Sequence, residues 1–414
     1  MSGTEFSTTG THSIPMNSIV RLRPAISALK RFLFSRSLRS AAFAFMLTRA
    51  IVFITFALTT HYSLRESPVP NSPKEPYISL HAASVAQALR GFAFVNDAGW
   101  YFDIVQSGYE KRLFEASAQH NWAFFPLHPL LWRYAAKLTG KVALTGIVMA
   151  NTFFFFALIL LHKISTEFEY DEATADRAVF YAAAFPTSYF FSLPWTESLF
   201  FLLVIGSFYL AKRRAWWLAC MLGALASATR ATGIILVPAL FVLYLQSRPR
   251  PSRVHFLSLL LIPLGLGAFM LHLYNLTGNA LAFKDVLIAW GRKPGFFAAP
   301  FLDYISNPAE VGVPWNFKPL NVAAAFLALV CGFTLLKKRS WALGVFTLIS
   351  VLMPLSTSNS MSLARYVMVI FPIYMVLGAA GRSPRIDQII RAVFIVLLGL
   401  MSALFAANIT LAGA

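Results

Sequence analysis

The stretch NDAGWYFDIVQSGYE, from Asn96 to Glu110, sets carboxylates among aromatic residues. An acidic side chain in such surroundings at a membrane surface is a candidate base. Partial desolvation raises its pKa, and aromatic faces suit a sugar ring. Read as a helix, the stretch puts Asp97, Trp100, Tyr101 and Ile104 on one face. Asp103 is then turned away by about 240° at 3.6 residues per turn, so Asp97 stands as a single base and not as half of a carboxylate pair. Helix capping is the competing role for Asp97.

Further along, QHNWAFFPLHPLLWR carries His120, Asn121 and His128 in an otherwise apolar run interrupted by Pro126 and Pro129. Such a run suits backbone lining a cavity at the membrane boundary. His128 is open to two readings, a phosphate or hydroxyl contact and an interfacial packing residue. In FPTSYFFSLPWTESLFF, Glu197 opens an apolar run, where a carboxylate also compensates the helix dipole. Arg230 in SATRATG and Arg365 in SLARY lie towards the ends of apolar runs. An arginine there is expensive unless it faces a cavity or an anion, with snorkelling as the alternative. Arg49, well inside the first run, carries the same ambiguity. In TGNALAFKDVLIAWGRKPG, the cations Lys284, Arg292 and Lys293 near Trp290 make a plausible anion rim or ordinary interfacial anchors. No His/Cys/Asp cluster has metal-ligand spacing and no Ser-His-Asp order points to a triad, so no cofactor is expected, although a divalent metal is not excluded.

The elements that must position these residues are membrane helices. Of 414 residues, 57% are hydrophobic and 13% charged, and the mean hydropathy is +0.63. A soluble domain has too little interior for so much apolar surface. The net charge of +18 comes in short clusters between apolar runs and forms no continuous patch, which argues for membrane orientation and against nucleic acid. Cys220 and Cys331 both sit in apolar runs and make no disulfide framework.

Residues 1–40 read as a disordered Ser/Thr/Gly-rich start followed by a basic segment on the cytoplasmic face, with Arg21, Arg23, Lys30, Arg31, Arg36 and Arg39 among Leu and Phe. Residues 41–414 form a single all-α polytopic membrane domain. Spanning-length runs are Ala41–Thr60, Val142–Leu161, Ala178–Leu193, Trp195–Ala211, Val254–Tyr274, Val322–Leu336, Trp341–Leu355, Tyr366–Ala380 and Ala392–Leu411. Ala215–Leu245 would be roughly 45 Å as one helix, so a break near Gly233 and Pro238 gives two spans and a total of about eleven. Trp122–Lys137, only amphipathic, is expected to lie re-entrant or on the surface. The basic linkers at Lys212–Arg214, Arg248–Arg253, Lys337–Arg339 and Arg382–Arg391 then share the cytoplasmic side with the N-terminus, and the C-terminus lies outside. The outer side receives two loops, 61–141 and 276–319, of which the first is long and built of short or amphipathic helices. Asp97, His128, Glu197, Arg230, Arg292 and Arg365 gather on that side. The cytoplasmic connections hold no nucleotide-binding signature.

Taken in order, NDAGWYFDIVQSGYE, HNWAFFPLHPLL, FPTSYFFSLPWTESLF, SATRATGI, GNALAFKDVLIAWGR and the late ARY resemble the PIG-V family of mannosyltransferases, multi-spanning enzymes of the GT-C class. They cover the chain from about Arg49 to Arg365. One departure is Asn96, where the family usually has Trp before the acidic residue. The resemblance implies an inverting glycosyltransferase using a polyprenyl- or dolichyl-phosphate-mannose donor at the extracytoplasmic face, with Asp97 catalytic. It implies membrane lipids and a glycolipid or glycan acceptor as partners. The compact loops look like those of bacterial relatives, in a plasma membrane. Trp100, Tyr101, His120, Asn121, His128, Glu197, Arg230, Arg292 and Arg365 are the expected substrate and phosphate contacts. The alternatives are a ligase moving whole glycans from a lipid carrier and a non-enzymatic transporter or flippase; the latter should show inverted repeats, and no such symmetry is visible.

Overall fold

The structure is a computed structural model that describes residues 35–61, 63–67, 77–81, 93–94, 96–308, 317–357 and 360–412. The expected disorder and the basic residues Arg21 to Arg31 lie outside these residues. Arg36 and Arg39 belong to the first helix, α1 (Arg36–His61).

A short antiparallel hairpin follows, β1 (Ser63–Ser67) against β2 (Tyr77–His81), with Arg65 opposite Ser79. The rest of the described chain is helical: α2 (Asp97–Gln106), α3 (Leu127–Thr139), α4 (Val142–Glu167), α5 (Glu172–Ala184), α6 (Glu197–Lys212), α7 (Trp216–Ser227), α8 (Leu236–Gln246), α9 (Ile262–Thr277), α10 (Ala299–Ser306), α11 (Lys318–Lys337), α12 (Trp341–Leu355), α13 (Leu363–Val367), α14 (Pro372–Ala380) and α15 (Pro384–Ala412). Short 3-10 turns and single-turn helices join them.

Among the described residues, five helices are long and apolar enough to cross a membrane: Arg36–Thr59, Val142–Glu167, Arg253–Thr277, Lys318–Lys337 and Pro384–Ala407. Trp216–Ser227, Ala231–Gln246 and Trp341–Leu355 are apolar but shorter. The Ala215–Leu245 run does divide in two, at Ala228–Arg230, just ahead of Gly233. Trp122–Lys137 holds a 3-10 turn at Asn121–Ala123 and the amphipathic α3, whose start at Leu127 follows from Pro126.

Ala178–Leu193 departs from the continuous span expected of it. Helix α5 stops at Ala184 because Phe185 precedes Pro186, and proline disfavours helical backbone in the residue before it. A 3-10 turn over Ser188–Ser192 and an extended Leu193 then lead to Pro194 and α6. Every residue from Ala178 to Phe201 is buried. Irregular backbone at membrane depth survives only when protein covers it and supplies its hydrogen bonds. Arg49 of α1 does the latter: Nη1 donates to the Ser188 carbonyl (2.8 Å) and Ser192 Oγ (2.9 Å), and Nη2 to the Ala183 carbonyl (3.1 Å) and Ser188 Oγ (2.8 Å). That settles the ambiguity at Arg49, which holds the broken helix end together.

Around this segment α4 packs on α6, α6 on α7, and α11 on α12, while α1 lies against α5 and α15. At Gly265 a side chain would run into the Ala224 carbonyl, so glycine sets the close approach of α9 to α7. The basic turns meet at one end of the bundle. Arg213 pairs with Glu167 (3.2 Å), Arg214 reaches the Arg248 carbonyl (2.5 Å), Gln246 reaches the Arg339 carbonyl (3.0 Å) and Arg382 pairs with Asp171 (2.6 Å). Glu197 lies at the opposite end of α6, about 22 Å away at 1.5 Å per residue.

Arg49→Met should remove the guanidinium's bonds to the Ser188 carbonyl, Ser188 Oγ and Ser192 Oγ and leave the Ala183 carbonyl to Ser188 Oγ alone, costing about 2 kcal/mol or more. The melting midpoint in detergent is expected to fall by several degrees; an unchanged midpoint would remove Arg49 from this role.

Candidate active site

Helix α2 begins at Asp97, and Asn96 before it sits at φ 52° with no side-chain capping bond. The Asp97 carboxylate does not cap the helix. It accepts a hydrogen bond from Arg365 Nη1 at 2.5 Å. The helix buries Ala98, Tyr101, Ile104 and Val105, and its far end is held by Arg133 of α3, which donates to the carbonyls of Ile104 (3.2 Å), Val105 (2.6 Å) and Gln106 (3.1 Å). A guanidinium at a helix C-terminus complements both the free carbonyls and the dipole.

Glu197, the first residue of α6, is completely buried, and its Oε1 accepts from both Arg365 Nε and Arg230 Nη1, each at 2.6 Å. An unbroken ionic chain therefore runs Asp97–Arg365–Glu197–Arg230. Glu197 is its buried centre: the Asp97 side chain is 29% accessible, that of Arg230 14%, and that of Glu197 not at all. Arg230 reaches Glu197 because the chain leaves helical geometry there (φ −155°, ψ 143°) between α7 and the next 3-10 turn. Arg365, on α13, lies over the Trp195 ring at 4.1 Å and the Phe190 ring at 5.3 Å. Thr196 Oγ1 accepts from the Tyr101 hydroxyl and from Arg230 Nη1, both at 3.3 Å.

Arg292 joins from the second loop. Its Nη2 donates to the Tyr366 hydroxyl at 2.6 Å, and the Tyr366 ring lies 5.2 Å from the Arg292 guanidinium and 5.4 Å from that of Arg230. Trp100 stacks on Phe124 and meets Trp290 edge-on, both at 5.9 Å, so an aromatic wall links the two loops beside Asp97.

His128 packs under Tyr101, 5.6 Å between ring centres, and its Nε2 bonds the Pro194 carbonyl at 2.9 Å. Burial pushes its pKa down to about 4, so the ring is neutral and serves as a donor that fixes the turn leading to Glu197. Burial likewise drives the Tyr101 phenol well above its ordinary value and keeps its proton available for Thr196. His120 and Asn121 belong to a separate network. His120 Nδ1 meets Glu110 Oε2 at 2.7 Å, and Asn121 Nδ2 donates to Asp103 Oδ2 at 2.8 Å. The structure thus brings Asp97, Trp100, Tyr101, Glu197, Arg230, Arg292 and Arg365 together, seats His128 behind them and sets His120 and Asn121 apart. Among the described residues, no group of three or more His, Cys, Asp or Glu is arranged to hold a metal ion.

Thr196, Trp195, Tyr366, Phe124 and Arg133 are additions to the expected set. The first three adjoin Glu197 and Arg365 in sequence, which was their only signal; nothing in the sequence paired Arg133 with α2.

The profile of the family described as mannosyltransferase (PIG-V) matches residues 34–248, just over half of the chain, and takes in Asp97, Glu197 and Arg230. The chain belongs to the PIG-V mannosyltransferase family. A solved oligosaccharyltransferase of Archaeoglobus fulgidus, tethered to an acceptor peptide containing the NVT sequon, overlaps 87% of this chain at 12% identity and a TM-score of 0.39. The family member spans 55% of the length of that protein. No curated protein matches it.

Two outcomes follow from the buried charges. Glu197→Gln should cost about 3–5 kcal/mol, because it strands two guanidiniums. The same change in an Arg230→Gln background should cost at least about 1 kcal/mol less. Strict additivity in reversible unfolding would show that the two do not share a network. His128 has a folded pKa of about 4 against 6.5 when exposed. Folding therefore favours the neutral ring, full stability holds above 6.5, and it declines as pH falls from there towards 4. Between pH 7 and pH 5 the loss is about 2 kcal/mol at 1.36 kcal/mol per unit. His128→Gln is expected to flatten that part of the melting-midpoint profile, and an equally steep profile would rule the histidine out as its source.

Proposed function

We propose that this protein is a glycosyltransferase that moves a mannose or similar hexose, with inversion, from a polyprenyl- or dolichyl-phosphate donor to a hydroxyl of a glycolipid or glycan acceptor. The observation carrying this reading is the ionic chain Asp97–Arg365–Glu197–Arg230 with Arg292 beside it. It offers one partly exposed carboxylate and a surplus of guanidinium in the same place.

The mechanism follows from what each group can do. The acceptor oxygen attacks the anomeric carbon on the face opposite the phosphate, so the new C–O bond forms with inversion as the C–O bond to phosphate breaks. Asp97 takes the acceptor proton. The bonding pair leaves on the phosphate, whose charge rises as a phosphodiester becomes a monoester. Guanidiniums aimed at that oxygen stabilise the growing charge, and they contact phosphate in bidentate fashion. Arg365 can serve both states with little movement. Its Nε stays on Glu197 while Nη1 passes from Asp97 to the phosphate, which releases the carboxylate to act as base. The wall of Trp100, Phe124 and Trp290 offers apolar faces for the sugar.

The basic turns at the far end of the bundle support a cytoplasmic position for that end and an extracytoplasmic one for Asp97. A donor carrying its own phosphate leaving group suits a face without nucleotide-binding signatures.

Purified protein in liposomes with labelled polyprenyl-phosphate-mannose tests the reading. Asp97→Asn should lower transfer by about 10²–10⁴-fold while folding normally and keeping its donor affinity, since Asn cannot hold Arg365 away from phosphate. A well-folded, fully active Asp97→Asn protein would sink the assignment of Asp97.

A further inference from the structure

We propose that Tyr366 is itself a ligand of the anion bound in this site, donating its phenolic proton to a non-bridging oxygen of the lipid phosphate. The inference rests on the reading of the site as a lipid-phosphate-sugar site and adds a residue to it.

Three facts about Tyr366 carry the proposal. Its hydroxyl oxygen is already used as an acceptor by Arg292 Nη2 at 2.6 Å, so its own proton must point elsewhere, and among the described residues it has no acceptor. Its ring lies within 5.4 Å of two guanidiniums, Arg230 and Arg292. A phenol beside two cations presents its O–H dipole outward, positive end leading, towards any anion drawn to them. The side chain is only half-buried, next in sequence to Arg365 and against the Arg230 end of the ionic chain.

Charge balance says an anion belongs there. Arg230, Arg292 and Arg365 stand against Asp97 and Glu197, and both carboxylates are held by Arg365 and Arg230. Arg292 has no carboxylate partner among the described residues; its guanidinium rests on Tyr366. One positive charge is therefore uncompensated at the place where Tyr366 offers a free donor. A phosphate takes several hydrogen bonds at once, and a neutral O–H among guanidiniums adds one without adding repulsion. The bond from Arg292 also polarises the phenol and strengthens it as a donor.

A purely structural role would have the hydroxyl serve only as a post for Arg292. The two roles separate in a double-mutant cycle on the full-length protein in nanodiscs, measuring affinity for polyprenyl monophosphate, with polyprenol as the probe lacking phosphate. Tyr366→Phe keeps the ring and removes one oxygen, and its melting midpoint is expected to match wild type. The proposal predicts a loss of about tenfold or more in affinity for the monophosphate, no change for polyprenol, and a similar loss when Tyr366→Phe is made in an Arg292→Gln background. If the Phe change costs nothing once Arg292 is gone, or nothing in the wild-type background, Tyr366 is not a ligand and the proposal falls. If wild type binds the monophosphate no better than polyprenol, the lipid-phosphate reading of the site fails first, and the proposal with it.

Discussion

A carboxylate with no exposed surface has to be paired, and Glu197 is such a carboxylate. Removing a charge from water costs several kcal/mol even after relaxation, and only well-placed opposite charges return it. Glu197 sits at the N-terminus of α6, where the dipole helps, but it is the two guanidiniums on one oxygen that make the ion tolerable. That demand fixes where Arg230 and Arg365 must be, and so fixes the breaks in the helices that carry them. Arg230 stands in extended backbone between two helical pieces, and Arg365 on a single turn between a left-handed Ser362 and the helix that begins at Pro372. Regular spans would direct both side chains elsewhere.

The same logic extends to the backbone ahead of Glu197. From Phe185 to Thr196 the chain abandons the α-helical ladder in a wholly buried place, and its polar groups must be met by side chains. Arg49 meets the carbonyls at one end, and neutral His128 meets the Pro194 carbonyl at the other. Neither residue touches the ionic chain, yet together they set the height at which Glu197 enters the bundle. An arginine deep in the first helix and a buried histidine in a surface helix thus have one purpose, to hold an irregular segment so that the charged residue after it is placed.

The fold class, the gathering of the basic clusters at one end of the bundle and the short amphipathic helix in Trp122–Lys137 were legible because hydropathy and Lys/Arg counts act over many residues. Asp97 with Trp100 and Tyr101 on one face was legible from helical periodicity. Which polar residues would meet was less so. His120 and Asn121 sit close in sequence to the aromatic loop but turn to Glu110 and Asp103, because a separate pair of carboxylates lay within reach. Glu197 read most simply as dipole compensation, and only the convergence of Arg230 and Arg365, 33 and 168 residues away, makes it a hub. The end of α5 at Pro186 could have been taken from the proline alone, had the apolar content of the run not outweighed it. Long-range pairing has no local signature, and that is where sequence reasoning stopped.

One consequence of the shared guanidinium concerns the order of events. Arg365 is divided between two carboxylates, the wholly buried Glu197 and the partly exposed Asp97. The buried bond anchors the arginine, and the half-exposed one is free to be exchanged, because water and ligand reach only that side. In the proposed mechanism, a phosphate arriving beside Arg365 would compete with Asp97 for the same Nη1, and its success would unmask the base. The proton acceptor would then be available only when a donor is present to receive the attack, tying readiness for chemistry to occupancy without any moving domain. The contrast between a partly exposed Asp97 and a wholly buried Glu197 on either side of Arg365 is what makes that exchange one-sided.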